Sequence, residues 1–456
     1  MYVRDFAEQI VNINIDMLSP KTLDAAKKSI LDTLGVAIKG SGYESSAVLE
    51  KTLALPNDRQ ISSLIGRGVK STPLEAALFN GTAAHSVEMD DFHRAAAVHP
   101  GVVIIPAALA AAEEIGASGH DLLKAVIVGY EVMVRIGVAC SGSPYDRGFH
   151  PTSICGAFGA AAAAGALYGL PADRLAQAMG IAGGYTGGLL EYKANGAWTK
   201  RLNAGLAAQS GVLAAKLAGN GFTGPESILE GRFGFLKAYA DSYDLEALQK
   251  PWQAAGSWAI EEVTFKPYSS CRFTHAPIDA FDLVLQQNKL SVQDIEQVLV
   301  ETHQMAIKAT MEPAERKYRP VTQVDAQFSI PFCLALLAVK GGVVPDYFTP
   351  SFFADEDVLA LAAKVSGQSA ERYTKMFPKK NGSQVSVLAH GIWYRSEVLD
   401  AKGDPENPLS IDELLQKFRL LTADIIESSK LSRLSDLLLN IEKMDNVSKL
   451  SDLLCR

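Results

Sequence analysis

The chain has 456 residues, enough for two or three domains or one large core with a satellite. Its 48% hydrophobic and 21% charged content suits a packed globular protein and argues against disorder. A net charge of −8 argues against a nucleic-acid or anionic-membrane surface, though a local basic pocket for a small anion remains open.

The N-terminal stretch MYVRDFAEQIVNINIDML is amphipathic and lacks the apolar core of a signal peptide. No run of eighteen apolar residues occurs, so no membrane span is expected and the cytoplasm is the expected compartment. Ser19-Pro20 caps and opens a helix expected to end at Gly40, with Leu23, Ile30, Leu31, Leu34 and Ile38 on one stripe. Residues 106–115 read as a helix stopped by Gly116. Ser118 then caps a second long helix, with Asp121 placed for a capping box. Residues 156–170 and 203–217 are Ala/Gly-rich and apolar nearly all round, as interior helices are.

The pattern changes near residue 255. Strands are expected at 260–265, at 295–302 and within 384–399, where Gly391 sits for a turn or bulge. Helices are expected between them at 276–287 and 327–339, which makes an α+β unit. The cluster Gly403-Asp404-Pro405-Glu406-Asn407-Pro408 closes it. Ser410 then caps a tail whose Leu437/Leu438 and Leu453/Leu454 pairs predict a final helix packing back on the first domain.

Three of the eight histidines (His85, His93 and His99) fall within fifteen residues, beside Glu88, Asp90 and Asp91. Imidazoles beside carboxylates are what a site needs to move a proton or hold a metal near neutral pH. The metal reading takes His85, Asp90 or Asp91, His93 and His99, but without HExxH or HxH order. In the acid–base reading the carboxylates fix an imidazole in one tautomer. In the plainest reading one aspartate is merely a cap.

Further along, His150-Pro151 is forced extended, and Thr152 or Ser153 is placed to cap the next helix, whose N-terminus is either an anion site or an ordinary start. Lys200 and Arg201 enter an apolar helix, so one of them is expected to face a cavity and an anion. Lys266, Cys271, Arg272 and His275 crowd ten residues. Lys266 and Arg272 read as a carboxylate clamp, and Cys271 as a nucleophile candidate that no motif supports.

The five cysteines (Cys140, Cys155, Cys271, Cys333 and Cys455) form no CxxC, and neither GxGxxG in a strand–helix context nor a Walker motif occurs. No nucleotide or iron–sulfur cofactor is therefore expected. Together the segments suit removal of a proton alpha to a carboxylate, with cations holding the charged intermediate.

The ordered motifs EMDDFH, HPG, GFHPTSICGAFGAA, TKRLNAG, FKPYSSCRFTHAPIDA and GDPENPLS resemble the MmgE/PrpD family over roughly residues 5–430. That family comprises 2-methylcitrate dehydratase, cis-aconitate decarboxylase and iminodisuccinate epimerase. The resemblance implies a mainly α protein: a large all-helical domain (1–260 plus 404–456) and a smaller α+β lid domain (261–403). It also implies a homodimer, no required cofactor, and an active site between the domains for a small polycarboxylate.

By position it points to Glu88, Asp90, Asp91, His99, His150, Lys200 and Lys266. The chain departs from the decarboxylase pattern. Glu88 stands for an aspartate, Cys271 for a histidine, Phe332 for a tyrosine and Asn203 for a histidine. Tyr145 and His275 become extra acid–base candidates, and Arg201, Arg272, His93 and Cys271 extra substrate contacts. The implied function is a lyase or isomerase of the dehydratase, decarboxylase or epimerase type. Two alternatives are a metal-dependent His-Asp phosphohydrolase built on His120-Asp121, and a degenerate polycarboxylate-binding protein.

Overall fold

Helices dominate the chain as far as Gly219. The computed structural model describes residues 1–53, 61–252 and 257–454. Cys455 lies outside the described residues. The chain divides into a first unit of Met1–Tyr192, Ala197–Thr264 and Ser410–Arg456 and a second of Lys193–Gly196 and Phe265–Leu409.

The first unit is helical. Ser19 accepts from Thr22 N to open Pro20–Ser41, and Ser118 forms a capping box with Asp121 to open Gly119–Ala139. Around these pack Pro73–Ala84, Gly101–Ile115, Pro151–Leu167 and Thr199–Gly219. Their Ala/Gly sequences let backbones close up. A Cβ on Gly205 would lie 2.2 Å from the Leu78 carbonyl oxygen, so glycine is what lets Thr199–Gly219 lie against Pro73–Ala84.

Four local expectations need correction. The helix expected from residue 106 begins at Gly101 and carries Pro106 inside it, at the loss of one ladder hydrogen bond. Neither Thr152 nor Ser153 caps Pro151–Leu167. His150 is the N-cap residue without a side-chain cap bond, and the two hydroxyls bond elsewhere. The strand expected at 260–265 is a 3-10 turn, Ala259–Glu262, followed by the two-residue strand Val263–Thr264. The acids drive this, since Glu261 closes back on Trp258 N and bonds Thr22 and Lys21. Finally, the tail does not end in one helix. After Ile411–Thr422 and Ser428–Leu439 it finishes in the turns Ile441–Lys443 and Val447–Leu450. Leu453 and Leu454 are buried in the first unit as expected, and Gly66 N donates to Leu454 O at 2.6 Å.

The second unit is α+β. Its four-stranded sheet runs Val365–Ser369, Ile295–Thr302, Ser383–Ala389, Ile392–Val398, with only the first pair parallel. His390 and Gly391 both take positive φ (52° and 72°), the conformation a two-residue hairpin turn requires. Val298, Val300, Val385 and Val387 are fully buried in a core they share with Ile278, Phe281 and Phe332. The helices expected at 276–287 and 327–339 are found as His275–Asn288 and Ile330–Lys340.

Candidate active site

The first unit gathers three imidazoles. Pro73–Ala84 ends on His85, the loop beyond it carries Glu88, Asp90, Asp91 and His99, and His150 precedes Pro151–Leu167. The loop is tied down. Phe92 and His93 pair with Thr264 and Val263, and Lys417 Nζ donates to Met89 O (2.7 Å) and to Asp32 Oδ1. Glu88 sits at φ 58°, a left-handed conformation that non-glycine residues hold only where surrounding structure imposes it.

Asp90 lies under two rings. Its Oδ2 is 2.9 Å from His85 Nδ1 and 2.8 Å from His99 Nδ1. His99 Nδ1 is also 2.7 Å from the Asp91 carbonyl oxygen, which can only accept. Nδ1 therefore carries a proton, and in the neutral form of the ring the lone pair is on Nε2. His150 has the opposite tautomer: the Asn203 amide donates to its Nδ1 at 3.4 Å, leaving an Nε2–H. The His85 ring lies 5.0 Å from that of His99 and stacks on that of His150 at 5.6 Å and 11°.

Burial drives His85 down to about 4, with Asp90 opposing and the Lys200 charge reinforcing. Burial, then His85 and Lys200, also hold His150 well below its ordinary range. Both are neutral at pH 7. The Lys200 ammonium is ion-paired with Glu88.

Asp91 faces away from this group. Its Oδ1 accepts from Gly101 N (2.9 Å) and its Oδ2 from Tyr130 OH (2.7 Å), and burial raises it to about 7 against these two bonds. It is a support for the loop: its carboxylate is spent on these two donors, and its backbone carbonyl is what reaches His99.

The remaining candidates are scattered. His93 Nδ1 accepts from Ala96 N (3.3 Å) and its Nε2 lies 3.7 Å from Glu262. Arg201 donates to Ser45 Oγ (3.1 Å) and lies over the Tyr43 ring. Tyr145 is half-buried in the short helix Ser143–Asp146. His120 pairs with Asp16 at the surface, and Asp121 is used by the Ser118 capping box, so this dipeptide does not build a phosphohydrolase centre.

In the second unit Lys266 and His275 are fully buried, and His275 Nε2 donates to Ser270 O at 3.3 Å. Arg272 is ion-paired with Asp404, and Cys271 is buried with its N–H on Gln327 O (2.8 Å). Phe332 packs against Phe348 and Phe353.

The ligand atoms of His85, Asp90 and His99 lie within 4.8 Å of one another, a set with metal-binding donors; the His85–Asp90 hydrogen bond and the close His99–Asp90 contact already account for that spacing. Two groups stand out beyond the expected residues. The sequence offers His85 only as a metal ligand, yet it lies at the centre of the cluster. Tyr130 reads as part of a helical stripe, and it is the hydroxyl that holds Asp91. No sequence signal marks Tyr130, but His85 is legible from its five-residue spacing to Asp90.

The family models described as MmgE/PrpD N-terminal domain and MmgE/PrpD C-terminal domain match residues 4–248 and 268–443. The chain is 27% identical to a cis-aconitate decarboxylase of Aspergillus terreus, over 97% of this chain and 94% of the relative. It is 28% identical to the human cis-aconitate decarboxylase (98% and 93%) and 27% identical to that of Mus musculus (98% and 92%).

Proposed function

The chain belongs to the MmgE/PrpD family, and on that premise we propose that it is a cofactor-independent lyase or isomerase working alpha to a carboxylate of a small di- or tricarboxylate. What carries the reading is the pair of opposite tautomers in one cluster, a bare Nε2 on His99 and an Nε2–H on His150. Elimination and epimerisation begin by taking a proton from carbon. Decarboxylation ends by giving one to the carbon that has lost CO2. Each needs an imidazole that cycles between neutral and protonated forms.

We assign that proton to His99 Nε2. Its ring is 13% exposed, whereas the side chains of His85 and Asp90 are sealed. Asp90 stabilises the imidazolium through Nδ1–H. His150 donates from Nε2–H to a substrate oxygen, and the Lys200 ammonium attracts a substrate carboxylate while Glu88 holds it in place. Arg272, answered by Asp404, is given a structural role. No step is assigned to Tyr145, Lys266, Cys271 or His275.

The names of the relatives make cis-aconitate the first substrate to try. Proton NMR in D2O, with cis-aconitate and a panel of other polycarboxylates, separates the reactions. Loss of CO2 means decarboxylation, loss of water means dehydration, and solvent exchange without net loss means epimerisation. Silence from every member of the panel overturns the enzymatic reading.

We also propose a homodimer. Leu206, Phe222 and Phe233 of the first unit are 42%, 60% and 87% exposed, apolar surface that a second copy would cover. Light scattering that gives a monomer mass rejects this.

A further inference from the structure

We propose that His85 is a positioning residue of this site: its Nδ1–H holds the shared Asp90 oxygen beneath His99, and its ring is the wall on which His150 is stacked. The inference rests on the reading of His99 as the proton carrier.

Three observations support it. First, a single oxygen, Asp90 Oδ2, serves both rings, at 2.9 Å from His85 Nδ1 and 2.8 Å from His99 Nδ1. A carboxylate held from one side only could rotate. Held from both, it keeps a fixed acceptor under His99 and so fixes the face that His99 Nε2 presents.

Second, His85 touches both working imidazoles, 5.0 Å from the His99 ring and parallel to the His150 ring at 5.6 Å. The groups facing it are Asp90, Lys200, His99 and His150. Burial keeps it neutral, which matters for its role. A charged His85 would neutralise Asp90 and take from His99 the counter-charge its protonated form needs.

Third, His85 Nε2 is buried and has no hydrogen-bond partner among the described residues. A buried polar atom left bare costs on the order of 1–3 kcal/mol. A histidine kept only for packing would be expected to satisfy both nitrogens or to be replaced by an apolar side chain. The polar contact that His85 does make is the one from Nδ1–H to Asp90.

The test combines three substitutions with histidine-selective 15N labelling, practical because the chain has only eight histidines. In the wild-type protein both His85 and His99 are expected as Nδ1–H tautomers. His85 found as the Nε2–H tautomer overturns the proposal without any variant. The amide of His85→Asn can reach Asp90 as Nδ1–H does, whereas that of His85→Gln is placed one bond too far.

His85→Ala and His85→Gln are expected to lower kcat on the order of 10²-fold with little change in KM, and to shift the His99 ring 15N resonances as Asp90 moves, while the Asp91 carbonyl keeps the proton on Nδ1. His85→Asn is expected to restore most of both. Equal loss in the Asn and Gln variants, or a His99 spectrum unchanged in His85→Ala, sinks the idea. The spectra are read without substrate, so the tautomer result stands even if the proposed activity fails.

Discussion

Lys200 is ion-paired with Glu88, a residue 112 positions earlier in the chain, and both side chains are buried. Removing one partner takes a buried counter-charge from the other. Lys200→Met is therefore expected to destabilise the protein by ~3–5 kcal/mol, and the double variant with Glu88→Gln to recover much of that loss. Turnover is not expected to recover, because the cation is gone. Denaturant midpoints and kcat measured on the same three proteins check both halves. Recovery of turnover in the double variant removes Lys200 from the mechanism.

Asp90 carries the negative charge that both His85 and His99 address. Asp90→Asn preserves its volume but deletes that charge and can offer an N–H to Nδ1, which favours the wrong tautomer. We expect kcat to fall on the order of 10²-fold or more while the fold persists. A variant within a fewfold of wild type shows that His99 needs no counter-charge.

Gly101 has no room for a side chain. A Cβ there would meet Thr33 Oγ1 at 2.3 Å, Asp91 Oδ1 at 2.8 Å and Tyr130 OH at 2.9 Å. Gly101→Ala is expected to cost about 1–3 kcal/mol and to lower kcat as well, because displacing Asp91 moves the carbonyl that holds His99. Thermal denaturation and kinetics decide it. A stability loss with kcat untouched separates the Asp91 support from the working imidazoles.

Two buried groups pull the pH dependence of stability in opposite directions. His85 titrates near 4 when folded against 6.5 ordinarily, so the unfolded chain binds this proton first and stability is lost as pH falls through that window. Asp91 is raised from 3.8 to about 7, so the folded state binds its proton first and stability is lost as pH rises between those values. In the shared window, His85→Asn is expected to tilt the stability curve toward acid and Asp91→Asn toward base. Each tilt is at most about 1.4 kcal/mol per pH unit. Denaturant midpoints across this window measure the slopes. Equal slopes in both variants contradict the assignment.

The proposed chemistry runs on imidazoles and a lysine. Exhaustive chelation followed by desalting is expected to leave kcat unchanged. Loss of activity that returns with added metal would point instead to ligation by His85, Asp90 and His99, the set whose ligand atoms lie within 4.8 Å.

The chain itself determined a good deal. Ser19, Ser118 and Ser410 mark helix starts through local capping chemistry. The Ala/Gly runs mark interior helices, and the alternation within 384–399 marks strand with a turn or bulge at Gly391. The grouping of His85, Asp90 and His99 was visible because the chain brings these residues close before it folds.

Tertiary structure decided which groups work and which support. Asp90 and Asp91 are neighbours in sequence, yet one lies between two imidazoles and the other turns back to Tyr130 and Gly101. Successive side chains on a loop diverge, and only the packing around them sets their directions. Tautomers are equally beyond the sequence. They follow from which atom faces each ring nitrogen, the Asp91 carbonyl for His99 and the distant Asn203 amide for His150.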